Sequence, residues 1–363
     1  MKKFKFLYLD DEKDETTEAI VDGLKINDLI DITYEEPKDF KDEKKDLEKR
    51  LKDFDGIILD LRLDGRRLDI SYNAPAIAQE LRMMAGDKVV KSCPIILCST
   101  DEKMRATYDV EKIYHELFDY KFTKQGSPPW LKFATKLASL ANGYEYIVQS
   151  EFDLKKIMNR EDLHTFDPRI FEVFNSGGKH LVTFDYASFI IKDLFHHPGI
   201  LIKENLLAAR LGIDIEHSPD WKILLDSCFA PALFTGAFSD GWNRWWTDRI
   251  IDIFKDNSTG KRPSLLNAED RVVVLKDFSK LSGLQAAKPL EYNKSSKFWT
   301  ICEAYKAPLD PIEGYKIHST IEPKSWQEDK YISLLAVLNK KIPRPHSSEE
   351  ERIRLVKEEL LGK

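Results

Sequence analysis

Gly56-Ile57-Ile58-Leu59-Asp60-Leu61-Arg62-Leu63-Asp64-Gly65 decides how this chain is read. Three aliphatic residues run into an aspartate, and a charged, glycine-containing loop follows. A short apolar run bounded by turn signals reads as a buried strand, most simply a central strand of a parallel sheet. Open sheets of that kind bind ligands outside the carboxyl ends of their strands, and Asp60 stands at that end. An aspartate there can also do no more than cap the next turn. The flanking sequence decides between the two.

Upstream, Phe4 to Leu9 reads as a first strand ending in Asp10-Asp11-Glu12, and Asp14 to Leu24 has helical spacing. Leu29 to Tyr34 is a second strand, and Phe40 to Phe54 a charged surface helix. Downstream of a long polar loop, Ala76 to Met84 is helical. Pro94 to Thr100 forms a fourth strand that ends in the hydroxyls of Ser99 and Thr100. Val110 to Phe118 is a helix, Tyr120 to Lys124 a short fifth strand, and Trp130 to Ala141 a fifth helix. Strands alternating with helices predict a parallel sheet covered on both faces. Asp10, Asp11, Asp60, Ser99 and Lys124 then all fall at one rim, which one shared site explains better than several independent caps. Carboxylates that face one another raise each other's pKa unless a cation sits among them. A hard cation such as Mg²⁺ takes one or two carboxylates plus water and phosphate oxygens. A carboxylate beside it can accept a phosphoryl group, and a lysine opposite can pair with that group.

On these pieces (Leu7 to Glu12, Ile57 to Asp60, Pro94 to Ser99 and Asp119 to Lys124) residues 1–142 resemble the receiver domain of bacterial response regulators. The resemblance implies a flavodoxin-like (βα)5 domain with a parallel five-stranded sheet. It implies Asp60 as phosphoacceptor, and Mg²⁺ held by Asp10, Asp11, Asp60 and the backbone carbonyl of Arg62. Ser99 would be the switch hydroxyl and Lys124 the phosphate-pairing lysine. A histidine kinase or other phosphodonor would be the partner, and two copies could pair through this domain. The chain departs from the family's pattern in four places. Gln125 replaces the usual proline after the lysine, and Lys121 stands where an aromatic switch is common. Asp64-Gly65 comes early, and the stretch from Asp60 to Ser99 is long.

The 363 residues allow two or three domains. The expected division is 1–145, an α-helical region over 146–262, and a mixed α+β region over 263–363, with the last two forming one domain as the alternative. No apolar run has the ~20 residues of a membrane-spanning helix. The N-terminal apolar stretch ends in two aspartates and reads as a strand, not a secretion signal. Cys93, Cys98, Cys228 and Cys302 have no CxxC spacing and read as reduced thiols of a cytoplasmic protein. The net charge is −6. The first 150 residues carry 25 basic and 30 acidic side chains and the rest 31 and 32, so bulk charge does not favour nucleic acid.

Beyond residue 150, Phe166 to Phe174, Leu181 to Phe195, Glu204 to Leu211 and Trp221 to Cys228 have helical periodicity. Trp242, Trp245 and Trp246 fit one face of an aromatic helix running to Phe254. Arg271 to Leu275, Phe298 to Tyr305, Gly314 to Ile321 and Tyr331 to Val337 read as strands or a mixture of strand and helix. Ser348 to Leu361 closes the chain as a charged helix. Glu204 to Asp214 has the Ala-to-Gly step of a helix-turn-helix, but no basic recognition helix follows. His196-His197 reads as a turn before Pro198-Gly199, and Gly177-Gly178-Lys179-His180 lacks phosphate-loop spacing. The expected function is an atypical response regulator acting through protein–protein contacts of an unknown partner. A C-terminal enzyme of unrecognised type and a DNA-binding regulator are the alternatives.

Overall fold

The structure, a computed structural model, describes residues 2–12, 15–64, 70–100, 102, 104, 116–124, 128–175, 181–319, 322–360 and 362. The described chain forms two compact units. The first comprises residues 1–193 and 235–242, and the second residues 194–234 and 243–363. The expected division at 145 falls inside one continuous helix, Trp130–Gln149. That helix runs on because Leu137, Leu140, Ala141, Tyr144 and Ile147 keep burying one face at three- and four-residue steps.

The first unit is built on a five-stranded sheet, flavodoxin-like in form. Its strands are β1 (Phe4–Leu9), β2 (Ile30–Glu35), β3 (Gly56–Asp60), β4 (Ile95–Ser99) and β5 (Tyr120–Thr123), in the spatial order β2-β1-β3-β4-β5. Every neighbouring pair is parallel, with Phe4 opposite Ile30, Phe6 opposite Gly56, Ile57 opposite Ile95 and Ile96 opposite Tyr120. All five residues of β3 and of β4 are buried, so these strands carry no polar face. That is the sequence cost of a sheet covered on both sides. Gly56 is needed where β3 begins, because a Cβ there would lie 2.3 Å from the Phe6 ring.

The helices α1 (Glu15–Leu24), α2 (Phe40–Arg50) and α3 (Ala74–Gly86) follow the first three strands. Asp39 caps α2 by accepting from Lys41 N, and Asn73 caps α3 by accepting from Ala76 N. Helix α2 packs its buried Leu47 into the cluster formed by Leu7, Ile57, Leu59, Ile77 and Leu97. The expected helix Val110 to Phe118 lies, except for its last residues, outside the described residues, as do Gln125 and Gly177 to His180. On the far side of Trp130–Gln149, Gly143 admits the ring of Phe238, and Ser139 Oγ donates to Phe238 O at 3.2 Å. The inserted stretch Thr235–Trp242 is thus part of the first unit's packing.

The second unit has its own core around Leu207, Leu224, Phe229, Phe254, Leu275 and Phe298. Its strands are pairs of two residues, all antiparallel: Leu201–Ile202 with Trp245–Trp246, Thr300–Ile301 with Pro308–Leu309, and Tyr315–Lys316 with Tyr331–Ile332. Several sequence readings are corrected here. Trp245 and Trp246 are strand residues, and the helix begins only at Thr247. The three tryptophans therefore share no helical face.

Arg271 to Leu275 lies inside the helix Ala268–Ser279 despite its run of valines. Asn267 caps that helix, and Arg271, Val272 and Leu275 are buried on one face while Val273 is 64% exposed. Tertiary burial has overridden β-propensity. Tyr331 to Val337 is a two-residue strand, then Ser333 as cap, then the helix Leu334–Leu338. Among the described residues no helix is long and apolar enough to cross a membrane. All four cysteines are free thiols.

Candidate metal centre

The order β2-β1-β3 makes the chain reverse direction across the sheet between β1 and β3, which opens a crevice at their carboxyl ends. Asp10 follows β1 directly, Asp60 is the last residue of β3, Ser99 is the last of β4, and Lys124 follows β5. Side chains separated by more than a hundred residues therefore converge. Asp10, Asp11 and Asp60 bring one carboxylate oxygen each to within 4.8 Å of one another, and all three are buried. The Lys124 ammonium donates to Asp10 Oδ2 at 2.6 Å. It also lies 2.7 Å from Asp60 Oδ1, where its geometry is that of an ion pair rather than a directed hydrogen bond.

The remaining oxygens are held individually. Arg62 N donates to Asp60 Oδ2 at 2.9 Å, and Glu12 N donates to Asp10 Oδ1 at 3.1 Å. The Arg62 guanidinium pairs with Asp64 at 2.9 Å. Tyr34 Oη donates to the backbone carbonyl of Asp10 at 3.0 Å. Lys124 N donates to Ser99 O at 2.9 Å, which ties the lysine to the end of β4. Ser99 Oγ is buried without a hydrogen-bond partner among the described residues. Burial pushes the Asp60 carboxyl up; Lys124 pulls it back down, and Asp10 adds to the rise. Burial alone would lower the Lys124 ammonium, yet Asp60 and Asp10 outweigh it and hold it above its ordinary value.

Sequence reasoning missed one member of this cluster. Tyr8 is fully buried, and its phenol donates to Asp10 Oδ2, the oxygen that also takes Lys124. The Cys98 thiol lies 3.9 Å from the same phenol. Burial, together with Cys98 and Asp10, drives the Tyr8 phenol well above its usual range, so it stays a donor. The available signal was a polar-tipped aromatic in an otherwise aliphatic strand, two residues before Asp10 and so on the same side of it.

The donor set suits a hard cation. Three buried carboxylates with one ammonium leave excess negative charge, and oxygen is the ligand that Mg²⁺ or Ca²⁺ prefers. Asp60 Oδ1 without a directed donor, and the orphaned Ser99 hydroxyl, are the buried polar atoms that a metal with its attendant oxygens would satisfy. No protein-family model matches the chain, and no curated protein matches it.

Proposed function

We propose that the first unit is a phosphoacceptor module of the receiver type, and that its phosphorylation state governs an output made by the second unit. The observation that carries this reading is the Lys124 ammonium shared between Asp10 and Asp60, with an unsatisfied hydroxyl at Ser99. In the proposed reaction a carboxylate oxygen of Asp60 forms a P–O bond. The bond from phosphorus to the donor's leaving atom breaks, and that atom departs with the electron pair. The product is an acyl phosphate. Lys124 then exchanges Asp60 for the new phosphoryl oxygens, and the Ser99 hydroxyl gains an acceptor for its proton.

Mg²⁺ bound by Asp10, Asp11, Asp60 and the Arg62 carbonyl would neutralise the charge that gathers as phosphoryl oxygens approach these carboxylates. The phosphodonor would be a histidine kinase or a small acyl phosphate. For the output we propose contact with another protein. The apolar side chains that the second unit leaves exposed, Leu265, Ile312 and Ile342, mark where that contact should first be sought.

Incubation with acetyl phosphate and Mg²⁺ followed by intact-mass measurement tests the reading. One added phosphate is expected on the wild type, and none on Asp60→Asn. Equal labelling of both proteins, or none on either with small donors and with a panel of histidine kinases, rejects it.

A further inference from the structure

Asp10 and Asp60 share the Lys124 ammonium, but the two carboxylates are not held alike. The Asp10 carboxylate takes three donors. Glu12 N reaches Oδ1 at 3.1 Å, and the Tyr8 phenol and Lys124 both reach Oδ2, the lysine at 2.6 Å. The backbone carbonyl of Asp10 takes a further donor, Tyr34 Oη at 3.0 Å. Tyr8 and Tyr34 stand opposite each other in the pairing of β1 with β2, and their rings meet edge to face with centroids 6.0 Å apart. Among the described residues Asp60 has a directed donor on Oδ2, Arg62 N, and none on Oδ1. One carboxylate of the pair is pinned and the other is left open.

Tyr8 and Asp10 are both fully buried. An aliphatic residue would continue β1 without bringing a polar atom into the sheet, and a buried phenol is tolerated only with a partner. Apart from Asp10, its polar neighbour is the Cys98 thiol, a weak partner at 3.9 Å. The directed partner of the phenol is therefore Asp10. Lys124 cannot steady Asp10 throughout the proposed reaction. Its ammonium leaves for the new phosphoryl oxygens, and the cation that balances Asp10 is drawn away with it. The phenol comes from the interior of a strand and stays in place. A carboxylate beside a metal serves it only while it is aimed at it, and hydrogen bonds from outside the ligand set keep it so.

We propose that Tyr8 is a positioning residue of this centre: its hydrogen bond to Oδ2 keeps the Asp10 carboxylate turned toward the cation, with or without Lys124 upon it. Tyr8 touches neither the cation nor the phosphoryl group and acts only through Asp10. The inference rests on the reading of the crevice as a Mg²⁺-dependent phosphoacceptor site, and it adds a residue that the receiver resemblance does not supply. Without the phenol, Lys124 is the one donor left on Asp10 Oδ2, and the carboxylate is free to follow the lysine. Mg²⁺ should then bind more weakly, and phosphoryl transfer to Asp60 should slow at saturating donor. The donor concentration that half-saturates the rate should not change, because Tyr8 is buried beneath the site and meets no donor.

Two measurements on the full chain test this. Electron spin resonance of Mn²⁺, displaced by Mg²⁺, reads the metal affinity with no phosphoryl group present, since Mn²⁺ takes the same oxygen ligands. Asp11→Asn should abolish that binding and so assigns it to the crevice. Tyr8→Phe keeps the ring; it should weaken Mg²⁺ roughly tenfold and slow labelling by saturating acetyl phosphate by a similar factor. Tyr144→Phe is the control. It deletes another buried phenol–carboxylate bond, to Asp119 Oδ1 at 2.8 Å, and should change neither quantity whatever stability it loses. Tyr8→Met, also without the donor, repeats the test should Tyr8→Phe fold poorly. Wild-type affinity in Tyr8→Phe, or an equal fall in Tyr144→Phe, overturns the proposal and leaves the metal centre standing. No metal binding by the wild type removes both. Metal binding without labelling removes the phosphoacceptor reading alone, and the Mn²⁺ titration still decides Tyr8.

Discussion

The phenol of Tyr8 and the ammonium of Lys124 meet on one atom, Asp10 Oδ2, with the lysine at 2.6 Å. A carboxylate oxygen that takes two donors is fixed in position. Asp10 therefore stays oriented toward the crevice even when Lys124 is drawn elsewhere. Tyr8→Phe removes a buried hydrogen bond to a charged group and should cost about 1.5–3 kcal/mol. Urea denaturation of the full chain measures this, and an unchanged midpoint would mean that the bond contributes nothing.

Lys124→Gln leaves Asp10, Asp11 and Asp60 buried together without their cation. Stability at neutral pH should fall by about 3–5 kcal/mol, as for a buried pair that has lost one partner. The loss should shrink as the solution is acidified, because protonating any one carboxyl removes a charge. In the wild type the signs follow from the shifts. The raised Asp60 carboxyl carries a cost that is full above its folded pKa and absent below its unfolded value of ~3.9, so mild acid relieves it. The raised Lys124 ammonium contributes stability below its unfolded value of ~10.4 that is lost as pH rises through the folded value. Thermal midpoints across pH in wild type and variant check both.

If Mg²⁺ binds where the three carboxylates converge, as proposed, adding it should raise the thermal midpoint. A concentration a hundredfold above its Kd is worth about 2.7 kcal/mol. Asp11→Asn should flatten the dependence, while Asp64→Asn should leave it in place. A midpoint equally indifferent to Mg²⁺ in wild type and in Asp11→Asn would remove the metal from the account.

Away from the crevice, Arg82 is clamped beneath β4 and β5. It donates to Asp119 Oδ2 at 2.7 Å and to the carbonyls of Leu117 and Cys93, with Tyr144 Oη donating to Asp119 Oδ1 at 2.8 Å. Arg82→Met strands the buried Asp119 charge and should destabilise by about 3–5 kcal/mol. Arg82→Met combined with Asp119→Asn should recover part of that loss. Additive effects in the double-mutant cycle would show that the two residues do not interact.

The first sheet was legible because its signals are local. A strand buried on both faces must be a continuous apolar run, as β3 and β4 are; these two end abruptly in an acid and a hydroxyl, and an acid follows β1 directly. The site was legible for the same reason, since each of Asp10, Asp60, Ser99 and Lys124 is marked by where its strand stops. Tyr8 was not, because an aromatic inside an apolar run looks like core. The second unit was hard to read because its strands are two residues long, and their pairing is decided by distant partners. Val272 to Val274 look like strand in isolation. Only the cap at Asn267, and the burial of Arg271 among the carbonyls of Leu266, Ala209 and Phe298, make them helix.

The excursion of residues 235–242 bears on how such a gene can be cut and rejoined. The polypeptide passes between the units three times, not once. A shortened protein stopped at residue 145 or 193 would forfeit Phe238, whose ring fills the notch at Gly143, and Asp240, whose carboxylate receives the Ser139 hydroxyl. Recombination that exchanged one half for another at a single splice point would break both partners, so the two halves are expected to be inherited together.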